Sequence, residues 1–259
     1  MLSQFTVKNF KSIRDEVTFD MQAAAISEHE DRIIIDKDEE KYLPVSAIYG
    51  PNGGGKSNVL AALHTLVAKV LRPLFATEDS EEKVLLQKKI IVEPFVFSES
   101  KDEPTEFELF FRTAVSEYRY ILHVKRDLVL YESLDRVKLE TGRKSALFTR
   151  DENGIVLKGA FAKLKVSDEL SKTLTLLSYL GIAYKGNAVV KDVLSWFEYG
   201  IEFLNYGNPI QELRMAVSTS EEVKQLMLQM IQEMDLDIVD FRVEEKENER
   251  IDIFTKHCV

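Results

Sequence analysis

Tyr49-Gly50-Pro51-Asn52-Gly53-Gly54-Gly55-Lys56-Ser57-Asn58 is the stretch on which the reading of this sequence turns. From Gly50 to Ser57 it fits G-x-x-x-x-G-K-[ST] at every fixed position. Glycines let the backbone curl so that successive N–H groups point inward, and they leave no Cβ to block an approaching anion. The flanks suit the same purpose. Val45-Ser46-Ala47-Ile48-Tyr49 reads as a short buried strand running into the glycines. Beyond them Leu60, Leu63, Val67, Val70, Leu71 and Leu74 fall at helical spacing, and Pro73 marks the expected end. A helix opening at Ser57 would bring its positive end to the loop. From ordinary glycine and lysine frequencies, a chance match in a chain of this length is on the order of one in a hundred. Four of the eleven glycines lie in this loop, which lowers that further.

The pattern implies a cradle for ATP or a close relative, with Mg²⁺. Gly50, Pro51, Asn52, Gly53, Gly54 and Gly55 would supply backbone, and Asn58 would follow on the helix. Lys56 would reach the β- and γ-phosphates, and the Ser57 hydroxyl would be the metal ligand.

Composition sets the outer bounds. The chain has 259 residues, 45% hydrophobic and 30% charged, enough for one large domain or two modest ones with a substantial core. No apolar run approaches the roughly 20 residues that span a bilayer, so no membrane partner is expected. The start alternates like a strand and lacks the layout of a secretion signal. A single cysteine, Cys258, rules out an intrachain disulfide and suits a reducing, cytoplasmic setting. The net charge of −10 means that nucleic acid would need a local basic patch or a partner.

Outward from the loop, three segments are expected. Residues 1–89 form a P-loop core with an N-terminal hairpin: Phe5, Val7 and Phe10 alternate, then Val17 and Phe19 after the turn Lys11 to Glu16. The acid-rich stretch 27–41 is a solvated connection with a short strand at Ile33-Ile34-Ile35, and Glu78 to Glu82 is exposed. Residues 90–165 read as an antiparallel β-meander. Its runs are Ile90-Ile91-Val92, Phe95-Val96-Phe97, Phe107 to Phe111, Tyr118 to Leu122 and Leu128 to Tyr131, ending near the turn Asp151-Glu152-Asn153-Gly154. Residues 166–259 are helical, then a hairpin. One helix starts near Asp168 with Leu170, Leu174, Leu177 and Leu180 on one face; a second spans Val189 to Leu204 around Trp196; a third runs from Glu221 to Met234. Strands Ile238 to Val243 and Ile251 to Phe254 close the chain.

Flanking residues narrow the class. Phe5-Thr6-Val7-Lys8-Asn9-Phe10-Lys11-Ser12-Ile13-Arg14-Asp15 resembles the N-terminal hairpin of the RecF and SMC branch of ABC ATPases, where an "NF-K/R-S" turn sits beside the nucleotide. The loop, with asparagine on both sides, is similar to that branch's form. Glu93-Pro94-Phe95-Val96-Phe97, Pro104-Thr105-Glu106-Phe107-Glu108, Tyr118-Arg119-Tyr120, Trp196-Phe197 and Thr255-Lys256-His257 resemble bacterial ATPases of the AAA-15/AAA-21 group, the RloA and AbiL types of abortive-infection and antiphage systems. The resemblance implies an α/β fold: a P-loop NTPase, the N-terminal lobe of an ABC-type ATPase head, with an antiparallel β-meander and a helical segment. It implies contacts from Lys11 and Ser12 to the phosphates, heads joined in a dimer across ATP, and a nuclease or toxin effector under their control.

Such a head also needs an apolar strand ending in Asp-Glu, a serine-glycine signature and a switch histidine. Leu128-Val129-Leu130-Tyr131-Glu132 offers Tyr-Glu inside the meander and reads as core strand. Ile33 to Asp36 is short and precedes the loop. Leu177-Ser178-Tyr179-Leu180-Gly181 is too bulky for backbone amides to approach a phosphate. Asp151 to Gly154 matches D-x-x-G far from its expected place and reads as a hairpin turn. His29, His64, His123 and His257 show no metal spacing. No catalytic residue is assigned, and the chain is expected to stop before its catalytic half. The rival reading is a nucleotide-binding regulatory module without hydrolysis. A small-molecule kinase is disfavoured, because Arg136, Lys138, Arg143 and Lys144 fall in the meander rather than in a basic lid.

Overall fold

The computed structural model describes residues 1–26, 30–75, 90–97, 102–167, 170–203, 224–226, 228–229, 238–246 and 250–257. Two compact units divide at residue 202. The first is a mixed α/β body around a seven-stranded antiparallel sheet.

The first strand, β1 (Leu2–Lys8), buries Phe5 and Val7 and carries β2 (Val17–Asp20) on one edge. Its other edge pairs with β5 (Thr105–Arg112), Phe5 opposite Leu109 and Val7 opposite Phe107. From β5 the sheet runs on as a meander through β6 (Ser116–Lys125), β7 (Leu128–Lys138), β8 (Lys144–Asp151) and β9 (Gly154–Leu157). The N-terminal hairpin and the meander are therefore one sheet. Alternation decides its faces: Phe107, Leu109 and Phe111 with Tyr118, Tyr120 and Leu122 are buried on one side, while Glu108, Arg119 and Asp135 lie on the other.

Two outlying strands, β3 (Ile34–Ile35) and β4 (Lys41–Tyr42), form their own small ladder within the acid-rich connection. Arg112, almost fully buried, holds this connection to the sheet. Its guanidinium donates to Asp36 at 3.0 Å, Asp38 at 2.7 Å and Glu117 at 2.6 Å, and its plane lies over the Tyr42 ring.

Three helices cover the buried face. The long one, α1 (Lys56–Phe75), turns Val59, Ala62, Leu63, Leu66, Val67 and Val70 inward. The stripe is displaced from the one read in the sequence, since Leu60 is exposed. By length and composition alone α1 could cross a membrane, but its apolar side packs on α2 and β1. Pro73 falls in the last turn without stopping the helix before Phe75. The second helix, α2 (Leu176–Ala183), is capped by Thr175, whose side chain accepts from the Ser178 amide. It starts later than the spacing of Leu170 and Leu174 suggested, because Ser171 and Leu174 give their carbonyls to Arg150 and Lys172 gives its own to the Val129 amide. The third, α3 (Ala188–Tyr199), is capped by Asn187 and ends at Gly200, short of the expected Leu204. It places Trp196 and Phe197 against Phe111, at 4.5 and 5.5 Å between ring centroids. Asp192 of α3 accepts from Tyr118 Oη at 2.7 Å and Thr113 Oγ1 at 3.0 Å.

Glu132 is the fully buried polar anchor of this assembly. It accepts from the Leu176 and Leu177 amides at 2.6 and 2.9 Å and from Tyr120 Oη at 2.9 Å, with Arg150 3.9 Å away. Burial pushes its carboxyl above the ordinary range, and the donors around it pull the other way. The residue that matched a catalytic acid only in outline is thus the anion at the positive end of α2.

The second unit contains β10 (Ile238–Lys246) and β11 (Arg250–His257), an antiparallel hairpin in which β10 starts at the expected Ile238 and both strands run three residues past the expected Val243 and Phe254. Lys224 forms an ion pair with Asp240 at 3.1 Å. Residues 224–226 and 228–229 are helical; the rest of the helix expected from Glu221 to Met234 lies outside the described residues, as do Glu78 to Glu82, His29 and Cys258.

Two outcomes are expected. Glu132→Ala leaves three buried donors without an acceptor and should cost about 3 kcal/mol, read from urea unfolding followed by emission of Trp196. The hydrogen bond and charge of Arg112 hold the Asp38 carboxyl below its usual value. Its contribution is present above the unfolded-state value and is lost as pH falls through the lower folded value. Asp38→Asn should therefore lower the thermal midpoint at neutral pH and flatten its fall below about pH 4.

Candidate functional site

The loop from Gly50 to Gly55 curls tightly before α1. Gly53 and Gly55 both take left-handed backbone, φ +81° and +82°, which an L side chain adopts only with strain. The turn is closed by Gly54 N–H donating to the Pro51 carbonyl at 3.1 Å and Asn58 N–H to the Gly55 carbonyl at 2.9 Å. Lys56 folds back over it. Its ammonium donates to the carbonyls of Gly50 and Pro51, each at 2.7 Å, so the loop wraps around the charge of the helix's first residue. Nothing lies within 4 Å of where a Cβ on Gly53 would stand, so that side of the loop is open. Ser57 is exposed in the first turn of α1.

The lead-in differs from its sequence reading. Val45 to Tyr49 forms no strand, and Tyr49 is 90% exposed. An apolar run becomes a strand only when a neighbour takes its backbone hydrogen bonds, and none does among the described residues. Residues 90–97 differ likewise: Val92 is buried, with its amide on the Arg126 carbonyl, but Phe97 is 86% exposed and the segment is irregular.

The turn between β1 and β2 lies against the loop. Ser12 Oγ accepts from Asn58 Nδ2 at 2.7 Å, and a Cβ on Gly55 would come within 3.0 Å of that oxygen. Lys11 holds left-handed backbone at φ +50°, donates its amide to the Glu93 carbonyl at 2.9 Å, and lays its ammonium 5.5 Å from the Phe10 ring centroid. Two residues separated by 43 positions in sequence, Ser12 and Gly55, thus share one rim.

The residue that fixes this turn, Asn9, was visible in the sequence only as part of a motif. It is fully buried at φ +56°. Its Nδ2 donates to the carbonyls of Glu103 and Pro104, and its Oδ1 accepts from the Phe95 amide at 2.9 Å. Its own carbonyl accepts from Thr105 Oγ1 at 2.6 Å. Asparagine tolerates left-handed backbone and has both donor and acceptor at one short reach, which no apolar or charged residue matches. Phe10 and Ile13 fold under the turn, closing it with a mutual pair of backbone hydrogen bonds.

Other stretches weighed in the sequence have structural places. Leu177 to Gly181 is the body of α2, and a Cβ on Gly181 would lie 2.5 Å from Leu194 and 2.7 Å from Leu74. That glycine serves a close helix crossing. Asp151 to Gly154 is the β8–β9 turn, with Asp151 Oδ1 accepting from the Asn153 amide. His64 is exposed on α1, the ring of His123 in β6 lies 5.1 Å from that of Tyr131 in β7, and His257 ends β11. Among the described residues no group of His, Cys, Asp and Glu is arranged to hold a metal ion.

A glycine loop curled ahead of a long helix, in a mixed α/β body, defines the P-loop NTPase class. The family described as "AAA domain, putative AbiEii toxin, Type IV TA system" matches residues 45–196, more than half of the chain, and the chain belongs to that family. It carries a nucleotide-binding domain of the AAA type. The match takes in the loop, α1, the meander and most of α3; the hairpin bearing Lys11 and Ser12 precedes it. No curated protein matches the chain.

Gly55→Ala should lower stability by about 1–2 kcal/mol, because the new methyl group enforces left-handed strain. Ser12→Gly in the same chain should recover the steric part, giving a non-additive cycle in thermal unfolding.

Proposed function

We propose that the loop from Gly50 to Ser57 binds ATP with Mg²⁺ and that the protein works as the ATPase component of a toxin–antitoxin or antiphage system. The observation that carries this reading is the loop wrapped around the Lys56 ammonium, with two left-handed glycines and open space beside Gly53. The donors suit a polyphosphate. Amides at a helix N-terminus and a lysine point charge favour phosphate oxygens over any neutral ligand.

In this reading each residue has a task. Gly50, Pro51, Asn52, Gly53, Gly54 and Gly55 present backbone to the phosphates. Lys56 leaves two neutral carbonyls for the β- and γ-phosphate oxygens, exchanging ordinary hydrogen bonds for charge-assisted ones. Ser57 holds the metal, which when bound neutralises charge across the phosphates. Asn58 and Ser12 join the rim from two directions, and Lys11 adds a cation close by. Hydrolysis would require acidic and signature groups brought to the same phosphates, as when two heads close over ATP. The family's description is what favours a toxic effector as the output. Nucleotide occupancy would then set whether heads join and whether that effector acts.

Calorimetric titration with ATP tests the binding step. Wild-type protein should bind in the presence of Mg²⁺, Lys56→Ala should weaken binding by at least roughly a hundredfold, and Ser57→Ala should remove the advantage that Mg²⁺ gives. Full affinity in Lys56→Ala would reject the site. ADP release with the natural partners present separates an ATPase from a module that binds without hydrolysis.

A further inference from the structure

The seven-stranded sheet has two ends, and cations are shared unevenly between them. The β1–β2 turn, which meets the glycine loop through Ser12, lies at one end together with Lys125 and Asp151. At the other end the β5–β6 and β7–β8 turns meet, with Ser116 opposite Lys138 and Val137 opposite Lys144. Residues 136–191 hold eleven lysines and arginines against five aspartates and glutamates, in a chain whose net charge is −10. The fold gathers many of these cations at that second end. Lys138 donates its amide to the Arg143 carbonyl across the β7–β8 turn, and Lys144 opens β8. After β9 the chain returns to the same place. Lys158 donates its amide to the Leu147 carbonyl, and a Cβ on Gly159 would stand 3.7 Å from that of Ser145. Tyr184 Oη then accepts from the Lys165 amide at 2.8 Å and donates to its carbonyl at 2.6 Å, which brings Lys165 to the α2–α3 connection that carries Lys185.

Lys138, Arg143, Lys144, Lys158, Lys163 and Lys165 are all exposed, and none makes an ion pair among the described residues. Elsewhere on this unit the pattern is different: Lys8, Arg14, Arg32, Lys41 and Arg119 each have a carboxylate oxygen within 3.3 Å. Of the acids at the basic end, Glu117 is held by Arg112, and Asp192 by Tyr118 and Thr113, which leaves Asp135 opposite Arg119 and Glu140 in the turn. Asp168 and Glu169 lie outside the described residues. Like charges kept together without partners repel, and a polyanion laid across them relieves the repulsion while releasing its own counterions. A protein partner calls for a packed apolar or aromatic centre, whereas the exposed large apolar residues near this end, Val115, Val156 and Ile182, belong to three separate elements. A sugar–phosphate backbone asks only for spaced cations.

We propose that this end of the sheet binds the sugar–phosphate backbone of nucleic acid without reading its sequence, on a surface separate from the glycine loop. Arg143 and Lys144 at the hairpin and Lys158 after β9 meet the phosphates, and Lys163, Lys165 and Lys185 extend the track. The acidic remainder of the chain repels the polymer and so orients its approach to this end.

The test is anisotropy of a dye-labelled DNA duplex titrated with the full chain in the absence of nucleotide. The logarithm of affinity should fall with that of salt at a slope of about −4 between roughly 50 and 200 mM, as for four or five phosphates. Arg143→Gln with Lys144→Gln should weaken binding at least roughly tenfold at about 0.1 M salt and make the slope shallower by about 2. Lys125→Gln with Lys172→Gln removes the same charge from exposed positions at the other end of the sheet and should bind as wild type does. Duplex RNA and single-stranded DNA of the same length show which polymer supplies the phosphates, and binding of any of the three that the Arg143 and Lys144 changes weaken supports the proposal. No binding of any of them, equal loss in both double variants, or equally tight binding of labelled polyglutamate overturns it, the last in favour of an acidic protein partner. The Arg143 and Lys144 variant should keep its circular dichroism and bind ATP as wild type does, which holds this test apart from that of the loop.

Discussion

A carboxylate taken wholly out of water sets the geometry on which the first unit depends. Glu132 projects from β7 into the space between sheet and helices, where an uncompensated charge would cost several kcal/mol. It is tolerated because the Leu176 and Leu177 amides and the Tyr120 hydroxyl all converge on it. Those donors cannot move without exposing the charge to an apolar interior, so the start of α2 has one position over the sheet. The constraint then passes to α1. Ser178, in the first turn of α2, donates its hydroxyl to the Val70 carbonyl at 2.7 Å, and Gly181 lets Leu74 approach closely. Lys69, buried beside Val70, donates to the Asp127 carbonyl in the β6–β7 turn. The helix whose first residue is Lys56 is therefore fixed near its far end by buried polar groups as well as by apolar packing.

The rim of the loop is set from a second direction. Asn9 ties the turn after β1 to the backbone at residues 95, 103 and 104, and that turn carries Ser12 to Gly55 and Asn58. One end of the site is thus positioned by a helix anchored at Glu132, and the other by a sheet hairpin anchored at Asn9. Both anchors are polar and buried, where hydrogen-bond geometry admits little slack. An apolar contact would have allowed sliding; these do not.

This division explains what the sequence disclosed and what it withheld. The glycine loop was legible because its residue types follow from local backbone demands: Gly53 and Gly55 need left-handed φ, and Lys56 needs reach. The meander was legible because period-two alternation reports one buried face, as in Phe107, Leu109 and Phe111. Val45 to Tyr49 misled because its apolar character says that it wants a neighbour, not whether one is beside it. Leu60 misled because helical spacing defines a stripe only to within a residue or so, and neighbouring Val59 belongs to the buried side. Leu170 and Leu174 carried helical spacing, yet Arg150 takes their neighbourhood's carbonyls and delays α2 to Thr175. Asn9 stood out only as part of a motif and Glu132 only as an outline match to a catalytic acid, and neither pattern disclosed what the residue does. Their importance lies in partners 44 and 86 positions away, to Leu176 and Phe95, and such pairings are properties of the fold.

In the proposed role, a cation held in advance governs how the loop would meet a ligand. Lys56 already satisfies two carbonyls, so the loop keeps its curl with its own cation at the centre rather than collapsing. Ligand binding is then an exchange and not an assembly. An incoming oxyanion competes with neutral carbonyl oxygens for an ammonium whose position is settled by the start of α1, and charge-assisted bonds are about twice as strong as neutral ones. The carbonyls released face solvent, because the loop is exposed, and so are not left costly and unpaired. A ligand with a single weak charge gains little from that exchange. In the proposed role, one with several closely spaced charges would gain from the lysine, the amides and the helix end together, and the loop would discriminate by charge density before any contact with a base or sugar.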